Sequence, residues 1–272
     1  MTDLLLKEKF DSEGYVVLPS VIDPDLCREA RTRSWNIVND FAPDNVTAPF
    51  TTDPNKRYVD RYFLDSARAI SVFYEDPDIV GGEIRRPNKI GHALHERDDF
   101  FSRFARLPAI QGAVASLGIQ SPKLIQSMVV FKTADGGGSV NWHRDATFLY
   151  AEPYPILGIW IALEPAALEN GCLQVYPRSH LGELDTRYIR QSDDSCLFKK
   201  LSDSSPSSHQ ASAIEVDTGS MVLMHGHLAH ASMPNRSSRS RLAFTLHVLD
   251  GRSHYASDNW LRSSADAPFN GF

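Results

Sequence analysis

The chain has 272 residues, 42% of them hydrophobic, which is enough to bury the core of one compact enzyme domain. Its 28 basic and 34 acidic side chains give a net charge of -6, so the charge balance does not favour nucleic acid or a membrane surface as a partner. No segment approaches the roughly 20 apolar residues of a membrane span and the N-terminus is too charged for a signal peptide, so we expect a cytoplasmic protein.

The first 122 residues are expected to form a mainly helical support. Asp23 followed by Pro24 is typical of a helix start, with the acid as N-cap and the proline in the first turn. A second helical stretch is broken at Pro108. Residues 41–87 have no clear periodicity, and no element is predicted there. The predicted elements are helices over 3–10, 25–38 and 98–117 and a strand over 15–18.

From residue 123 onward the pattern changes to short apolar runs separated by turn residues, which is typical of β-strands. We predict a mainly β sandwich or jelly roll, with the helices packed on one sheet. This core would end near residue 250 and be followed by a tail over 251–272, all within a single domain. The polar insertion 181–213 is expected to be a mobile surface loop rather than an ordered lid. The predicted strands are 124–131, 146–150, 156–163, 172–176, 213–216, 221–224 and 242–249.

His143 and Asp145 are the first candidate metal ligands. In an extended segment, side chains two residues apart point to the same face. Two histidines and one carboxylate on one face of Fe(II) are typical of non-haem oxygenases, and they leave positions open for other ligands. A chain with ten histidines also forms such a pair by chance, so a second histidine is needed. Spacing alone does not choose among the candidates His225, His227 and His230.

A keto-acid cosubstrate of such an iron site would require an arginine for its far carboxylate. Only one of the downstream arginines adjoins a convincing strand. Alternation along that strand places Arg241, Ala243 and Thr245 on one face, which suits a polar interior. The candidates by distance are Arg236, Arg239 and Arg241.

Several motifs occur together along the chain. They are NWHRDA at 141–146, ENGCL at 169–173 with PRSH at 177–180, and HGHLAHAS at 225–232 followed by Arg241. Together they resemble the phytanoyl-CoA dioxygenase family. NKIGHALH at 88–95 and DNWL at 258–261 resemble one branch of that family, so the resemblance covers nearly the whole chain.

The resemblance implies a double-stranded β-helix, a cupin-like jelly roll, and an Fe(II)- and 2-oxoglutarate-dependent dioxygenase. Such an enzyme hydroxylates an unactivated C–H bond of a small organic substrate and releases succinate and CO2, with ascorbate as an optional reductant. By position, His143, Asp145 and His230 would ligate iron. Arg241, eleven residues after His230 as in the family, would bind the 5-carboxylate of 2-oxoglutarate. The other positions that would contact the cosubstrate are Ser232, Lys89, Met128 and Trp160.

The chain departs from the family pattern at two positions. Arg178 replaces a usual glycine, which leaves the geometry of its turn open. Arg144 stands where a glutamine is common, and we expect it to lie in solvent, with an anionic substrate group as the alternative. The carboxylate of Asp145 is retained, whereas halogenating relatives replace it with a small residue, so the chain resembles the hydroxylating kind.

The substrate class stays open among acyl-CoA esters, free acids and other metabolites. Two alternatives to the enzyme remain: a non-catalytic jelly-roll module or sensor that binds metal and 2-oxoglutarate, and a structural β-sandwich whose histidines bind no metal. Arg85 and Arg86 together with Lys89 would form a local site for phosphates. The other candidate pocket-lining positions are His92, His95, Arg97 and the insertion 181–213.

Overall fold

The computed structural model of the protein describes residues 2–41, 61–76, 86–134, 136–203, 210–263 and 268–272. Arg85 and much of the stretch without predicted elements lie outside these ranges. None of the helices in these ranges combines the length and the apolar composition of a membrane-spanning segment.

The described residues form helices and strands that alternate along the N-terminal part and become almost entirely strands after residue 122. The helices are α1 (Asp3–Glu13), α2 (Pro24–Asp40), α3 (Arg61–Asp65), α4 (Leu94–Arg97), α5 (Asp99–Phe104) and α6 (Pro108–Ser116). The strands are β1 (Tyr15–Leu18), β2 (Ile70–Tyr74), β3 (Pro87–His92), β4 (Lys123–Lys132), β5 (Val140–His143), β6 (Ala151–Glu152), β7 (Leu157–Ala162), β8 (Leu173–Val175), β9 (Thr186–Arg190), β10 (Cys196–Lys200), β11 (Ser212–Ile214), β12 (Met221–His225), β13 (His230–Ser232), β14 (Arg241–Leu249) and β15 (His254–Tyr255).

Local signals set the ends of the first two helices. The side chain of Asp23 accepts a hydrogen bond from the amide of Asp25 at 2.8 Å, so the predicted N-cap of α2 is confirmed. Helix α1 ends at Gly14, whose φ of +82° is the left-handed conformation that glycine adopts without strain. The sharp end of α1 lets β1 begin at the next residue.

The larger sheet carries the helices on one face. Its strand order is β1-β12-β7-β14-β4-β3-β2, and β14 pairs antiparallel with β4 and β7. Alternate residues of β14 point outward, as predicted, and Phe244 stacks on Phe101 of α5 with ring centroids 5.5 Å apart. Leu242 and Leu246 belong to the same buried cluster as the helical side chains.

The smaller sheet, in the order β11-β8-β13-β5, closes the other side of the interior. Leu173 and Val175 of β8 pack with Trp160 and Met224 of the larger sheet in one buried cluster. The two sheets thus form the predicted jelly roll, with an interior that both of them line.

The N-terminal part contributes more than helices. Its strands β1, β2 and β3 join the larger sheet, β1 at one edge and the other two at the opposite edge. The prediction of helical support did not include β2 and β3, because this region lacks a recognisable alternation of apolar and polar residues.

The predicted strand over residues 146–150 is wrong. Asp145–Thr147 forms a 3-10 turn, in which the amide of Phe148 donates to the carbonyl of Asp145 at 2.9 Å. The segment resembles a strand because it is apolar and aromatic, but Phe148 instead packs beside Tyr188, with ring centroids 5.7 Å apart. The chain therefore turns immediately after the candidate ligand Asp145.

The insertion 181–213 is more ordered than predicted. Its strands β9 and β10 pair antiparallel over five positions. Tyr188 of β9 is buried, and its ring lies 4.8 Å from that of Phe198 of β10. Residues 204–209 of the insertion lie outside the described part of the chain.

The metal-free protein should lose stability as the pH falls below neutrality. Burial lowers the pKa of His95 and His227 to about 4 and that of His225 to about 3, from the ordinary histidine value of 6.5. These imidazoles stay neutral in the folded protein while the unfolded chain binds protons, so each lowers the free energy of unfolding by roughly 1.4 kcal/mol per pH unit below 6.5. Urea unfolding of chelator-treated protein between about pH 7.5 and 5.5 measures this loss, and a constant free energy of unfolding would contradict it.

Candidate active site

The three side chains His143, Asp145 and His230 meet between the two sheets. His143 ends β5, and the extended backbone of Arg144 (φ -120°, ψ 138°) brings Asp145 to the same side. His230 begins β13 and pairs with His143 across the smaller sheet. The Oδ1 atom of Asp145 lies 3.8 Å from Nε2 of His143 and 3.7 Å from Nε2 of His230.

The geometry of this triad suits a metal ion. Ligand atoms about 2.1 Å from a shared ion can lie at most about 4.2 Å apart, so both measured distances are compatible with one. The Nδ1 atoms of His143 and His230 lie 2.8 and 3.0 Å from the carbonyls of Asn141 and Leu228, to which they donate. Each Nε2 is then the unprotonated nitrogen that can bind a cation.

The structure separates the three downstream histidines that spacing left equivalent. Only His230 lies with His143 and Asp145 as a cluster of ligand atoms within the described residues. The Nδ1 atom of His225 accepts from the amide of His227 at 3.1 Å, and its ring lies beside Phe10 of α1. His225 therefore belongs to the contact between α1 and β12.

Asp145 is buried and surrounded by imidazoles. Burial by itself would raise the pKa of its carboxyl group, but His247 foremost, with His230 and His143, holds that pKa well below the usual range. The Nε2 atom of His247 lies 3.3 Å from Oδ2 of Asp145. The sequence analysis missed His247, although the alternation along β14 places it on the same face as Arg241 and Thr245.

An inner cavity of about 100 Å³ extends from the triad to Arg241. Arg241 is 1% exposed, and its Nη2 atom donates to the carbonyl of Gly171 at 3.0 Å. Its Nε and Nη1 atoms have no hydrogen-bond partner among the described residues, and no acidic side chain of those residues forms an ion pair with it. Burial lowers the pKa of Arg241 to about 10, which leaves it charged at neutral pH. A buried, unpaired guanidinium of this kind is suited to bind an anion.

Three of the other predicted cosubstrate positions line the same cavity. Ser232 and Thr245 bring hydroxyl groups to it, and Oγ1 of Thr245 has no partner among the described residues. The ring of Trp160 lies 5.6 Å from the guanidinium carbon of Arg241. Met128 forms part of the wall. The cavity thus combines one cation, two hydroxyls and an apolar wall.

The buried Lys132 lies next to two residues of this cavity, Arg241 and Ser232. It lies opposite Arg241 in the β4–β14 pairing and donates to the carbonyls of Gly138 and Ser232. Burial, and next the charge of Arg241, lower its pKa to about 6.

A larger chamber of about 460 Å³ lies on the outer side of the triad. Aromatic side chains from five segments form much of its lining, with a few polar groups among them. Lys89 lies in this chamber rather than beside Arg241, with its ammonium 4.9 Å from the ring centroid of Phe73. The aromatic lining consists of Phe63, Trp142, Phe148, Phe198 and Trp260.

The other predicted pocket residues divide into two groups. His92 lines the outer chamber, as do Asp185 and Thr186 of the insertion. His95 instead lies 2.7 Å from Oγ of Ser127 and does not line the chamber, and Arg97 is exposed.

The expectation that Arg144 lies in solvent is wrong. Its side chain is 4% exposed, and its guanidinium donates to the carbonyls of Ser179 and Glu183 and to Asp185. Arg178, next to Ser179, adopts the left-handed conformation with φ of +67°, which explains why glycine suits this turn. Arg144 therefore fixes the chain between the PRSH turn and β9.

A jelly roll whose interior holds two histidines and a carboxylate, with open space on two sides, has the arrangement of a non-haem metal site. A family model described as phytanoyl-CoA dioxygenase (PhyH) matches residues 10–243. The chain belongs to the phytanoyl-CoA dioxygenase family.

Relatives support the predicted branch as well as the family. A protein from Arabidopsis thaliana called phytanoyl-CoA dioxygenase is 38% identical over 262 residues, which cover 93% of this chain and 91% of that protein. The mouse phytanoyl-CoA dioxygenase domain-containing protein 1 is 36% identical over 277 residues, covering 96% of this chain and 95% of the relative.

Solved structures of low sequence identity have the same fold. The epimerase SnoN, crystallised with Fe3+, alpha ketoglutarate and nogalamycin RO, superposes with a TM-score of 0.70 at 16% identity, covering 99% of this chain and 94% of SnoN. EctD from S. alaskensis, crystallised with Fe, gives a TM-score of 0.63 at 18% identity and covers 91% of this chain and 76% of EctD. These similarities confirm the jelly-roll fold.

Removal of Arg144 should destabilise the protein. An Arg144→Leu variant leaves the carbonyls of Ser179 and Glu183 without their donor, which should lower the free energy of unfolding by roughly 1–3 kcal/mol. Urea unfolding measures the change. The matched control is Arg103→Leu on the exposed surface of α5, where a change within about 0.5 kcal/mol is expected. Equal effects in the two variants would contradict the role of Arg144.

Proposed function

We propose that the protein is an Fe(II)- and 2-oxoglutarate-dependent dioxygenase that hydroxylates a C–H bond of a small, largely apolar organic molecule. One observation carries this proposal: the triad stands between an inner cavity that ends at the buried, unpaired Arg241 and an outer chamber lined by aromatic side chains. The separate cavities suit a cosubstrate and a substrate that reach the same ion from different sides.

His143, Asp145 and His230 would hold the iron. The carbonyls of Asn141 and Leu228 fix both imidazoles in the tautomer with the proton on Nδ1, so that Nε2 is available to the metal. The lowered pKa of Asp145 keeps its carboxylate charged at neutral pH.

Arg241 would bind the far carboxylate of 2-oxoglutarate. The inner cavity is lined at one end by the triad and at the other by Arg241, so a short linear diacid can reach both. The free Nε and Nη1 atoms of Arg241 present two N–H groups, the arrangement that binds a carboxylate in a bidentate manner. Ser232 and Thr245 would add hydroxyl hydrogen bonds to the same carboxylate.

The outer chamber would hold the substrate. Its aromatic walls favour an apolar body, while Gln126 and Lys89 would bind polar or anionic groups that orient it. When bound, iron together with 2-oxoglutarate and oxygen supplies the oxidising power, with succinate and CO2 as products. The protein orients the reactants relative to each other and excludes water from them.

The choice of His230 as the third ligand can be tested against its neighbour. We expect His230→Ala to lose the weak visible absorption band that Fe(II) and 2-oxoglutarate form together under anaerobic conditions. His227→Ala removes a half-buried histidine from the same segment and should keep the band. Loss of the band in both variants, or in neither, would rule out this assignment.

Arg241→Met should raise the dissociation constant of 2-oxoglutarate at least tenfold, since a charged hydrogen bond is worth roughly 1.5–3 kcal/mol. The control is Arg239→Met, which removes an exposed arginine paired with Glu169 and should leave the constant unchanged. Titration of the Fe(II)-loaded, anaerobic protein provides both values. Equal values for the two variants would show that Arg241 does not bind the cosubstrate.

Catalysis requires more than binding. The wild-type protein should form succinate from 2-oxoglutarate in an oxygen-dependent manner, and His143→Ala should not. Full succinate formation by His143→Ala would refute the proposed iron site. Cosubstrate binding without succinate formation across a panel of free acids and CoA esters would favour a binding module or sensor.

A further inference from the structure

We propose that His247, together with the absence of a side chain at Gly158, positions the carboxylate of Asp145 so that only Oδ1 faces the metal. This inference rests on the proposed metal site and adds two positioning residues to it.

His247 lies in the middle of the larger sheet, next to the triad. In the register of that sheet it faces Gln126 of β4 on one side and Gly158 of β7 on the other. Its side chain points into the interior on the same face as Arg241 and is 6% exposed. A histidine so enclosed has few groups to which it can donate.

The carboxylate of Asp145 is the acceptor that His247 faces. Nε2 lies 3.3 Å from Oδ2, within reach of a hydrogen bond, and Oδ2 has no hydrogen-bond donor among the other described residues. The opposite ring nitrogen, Nδ1, is buried without a partner in the same part of the chain. A ring proton on Nε2 can be donated to Oδ2, whereas one on Nδ1 would have no acceptor among the described residues.

Gly158 leaves the space that Oδ2 occupies. A Cβ atom at this position would lie 2.6 Å from Oδ2 of Asp145, closer than van der Waals contact allows. The glycine is thus required by a close approach of the carboxylate and not by its own backbone conformation. His247 holds Oδ2 at this position, and the missing side chain of Gly158 leaves room for it.

The consequence is a division of roles between the two carboxylate oxygens. With Oδ2 held against the larger sheet, Oδ1 is the atom directed at His143 and His230, at 3.8 and 3.7 Å. Without the donor, the carboxylate would lose its orientation and one buried oxygen would stay unpaired. Loss of such an outer contact to a metal ligand typically weakens metal binding 10- to 100-fold.

The test measures metal binding in the full-length protein without 2-oxoglutarate. Mn(II) replaces Fe(II) because free Mn(II) is counted directly by its electron paramagnetic resonance signal. We expect His247→Leu to raise the Mn(II) dissociation constant roughly 10- to 100-fold, and His247→Gln, whose amide can still donate, to recover most of the affinity. Gly158→Ala should also weaken Mn(II) binding, although it leaves the imidazole of His247 in place.

Thermal unfolding of the metal-free proteins separates positioning from general stability. His180→Leu serves as the control, because it removes a buried histidine whose Nε2 donates to the carbonyl of Asp11 in α1. It should lower the melting temperature and leave Mn(II) affinity unchanged. If His247→Leu fails to fold, Gly158→Ala still tests the inference, because its added methyl group displaces the carboxylate of Asp145 while His247 is retained.

The outcomes distinguish this inference from the function on which it rests. If wild type binds Mn(II) and the folded His247→Leu or Gly158→Ala variant binds it equally well, the positioning role is overturned while the metal site stands. If His247→Gln binds Mn(II) as weakly as His247→Leu does, the hydrogen bond from residue 247 does not determine the affinity, and the positioning role is overturned. If wild type binds no Mn(II), the metal site and the positioning role are both overturned.

Discussion

The alternation of side chains along β14 positions both the polar interior and the helical layer. It sends Arg241 and His247 into the space between the sheets, and Leu242, Phe244 and Leu246 into the contact with the helices. Groups that are charged or polar are costly to bury without partners. The apolar face of the same strand offsets that cost, because its packing against α5 and neighbouring helices holds the strand in place. The packing of the helices on β14 therefore stabilises a strand whose other face carries buried polar side chains.

The triad marks the boundary between two spaces of different character. On the inner side lies a small cavity with one unpaired cation, and on the outer side a larger chamber with aromatic walls. The 3-10 turn directly after Asp145 creates this division, since it brings Phe148 toward β9 and β10 instead of continuing β5. A strand at this point would have extended the smaller sheet and removed a wall of the chamber.

The two departures from the family pattern meet at one turn. Arg178 adopts the conformation usual for glycine, and the carbonyl of its neighbour Ser179 accepts a hydrogen bond from Arg144. The guanidinium of Arg144 also binds the carbonyl of Glu183, just before β9. The residue between two triad members thus faces away from the triad and connects it to the insertion that lines the outer chamber.

Features that depend on neighbours within a few residues could be predicted from the sequence: the N-cap of α2, the two faces of β14 and the His-x-Asp pair. Strand pairing selects the histidine that joins that pair, because His225, His227 and His230 are equivalent by spacing and His230 begins β13, the strand that pairs with β5. The burial of Arg144, the place of Lys89 in the outer chamber and the contact of His247 with Asp145 were likewise beyond local pattern. Each depends on segments far apart in the chain that strand pairing and sheet packing bring together.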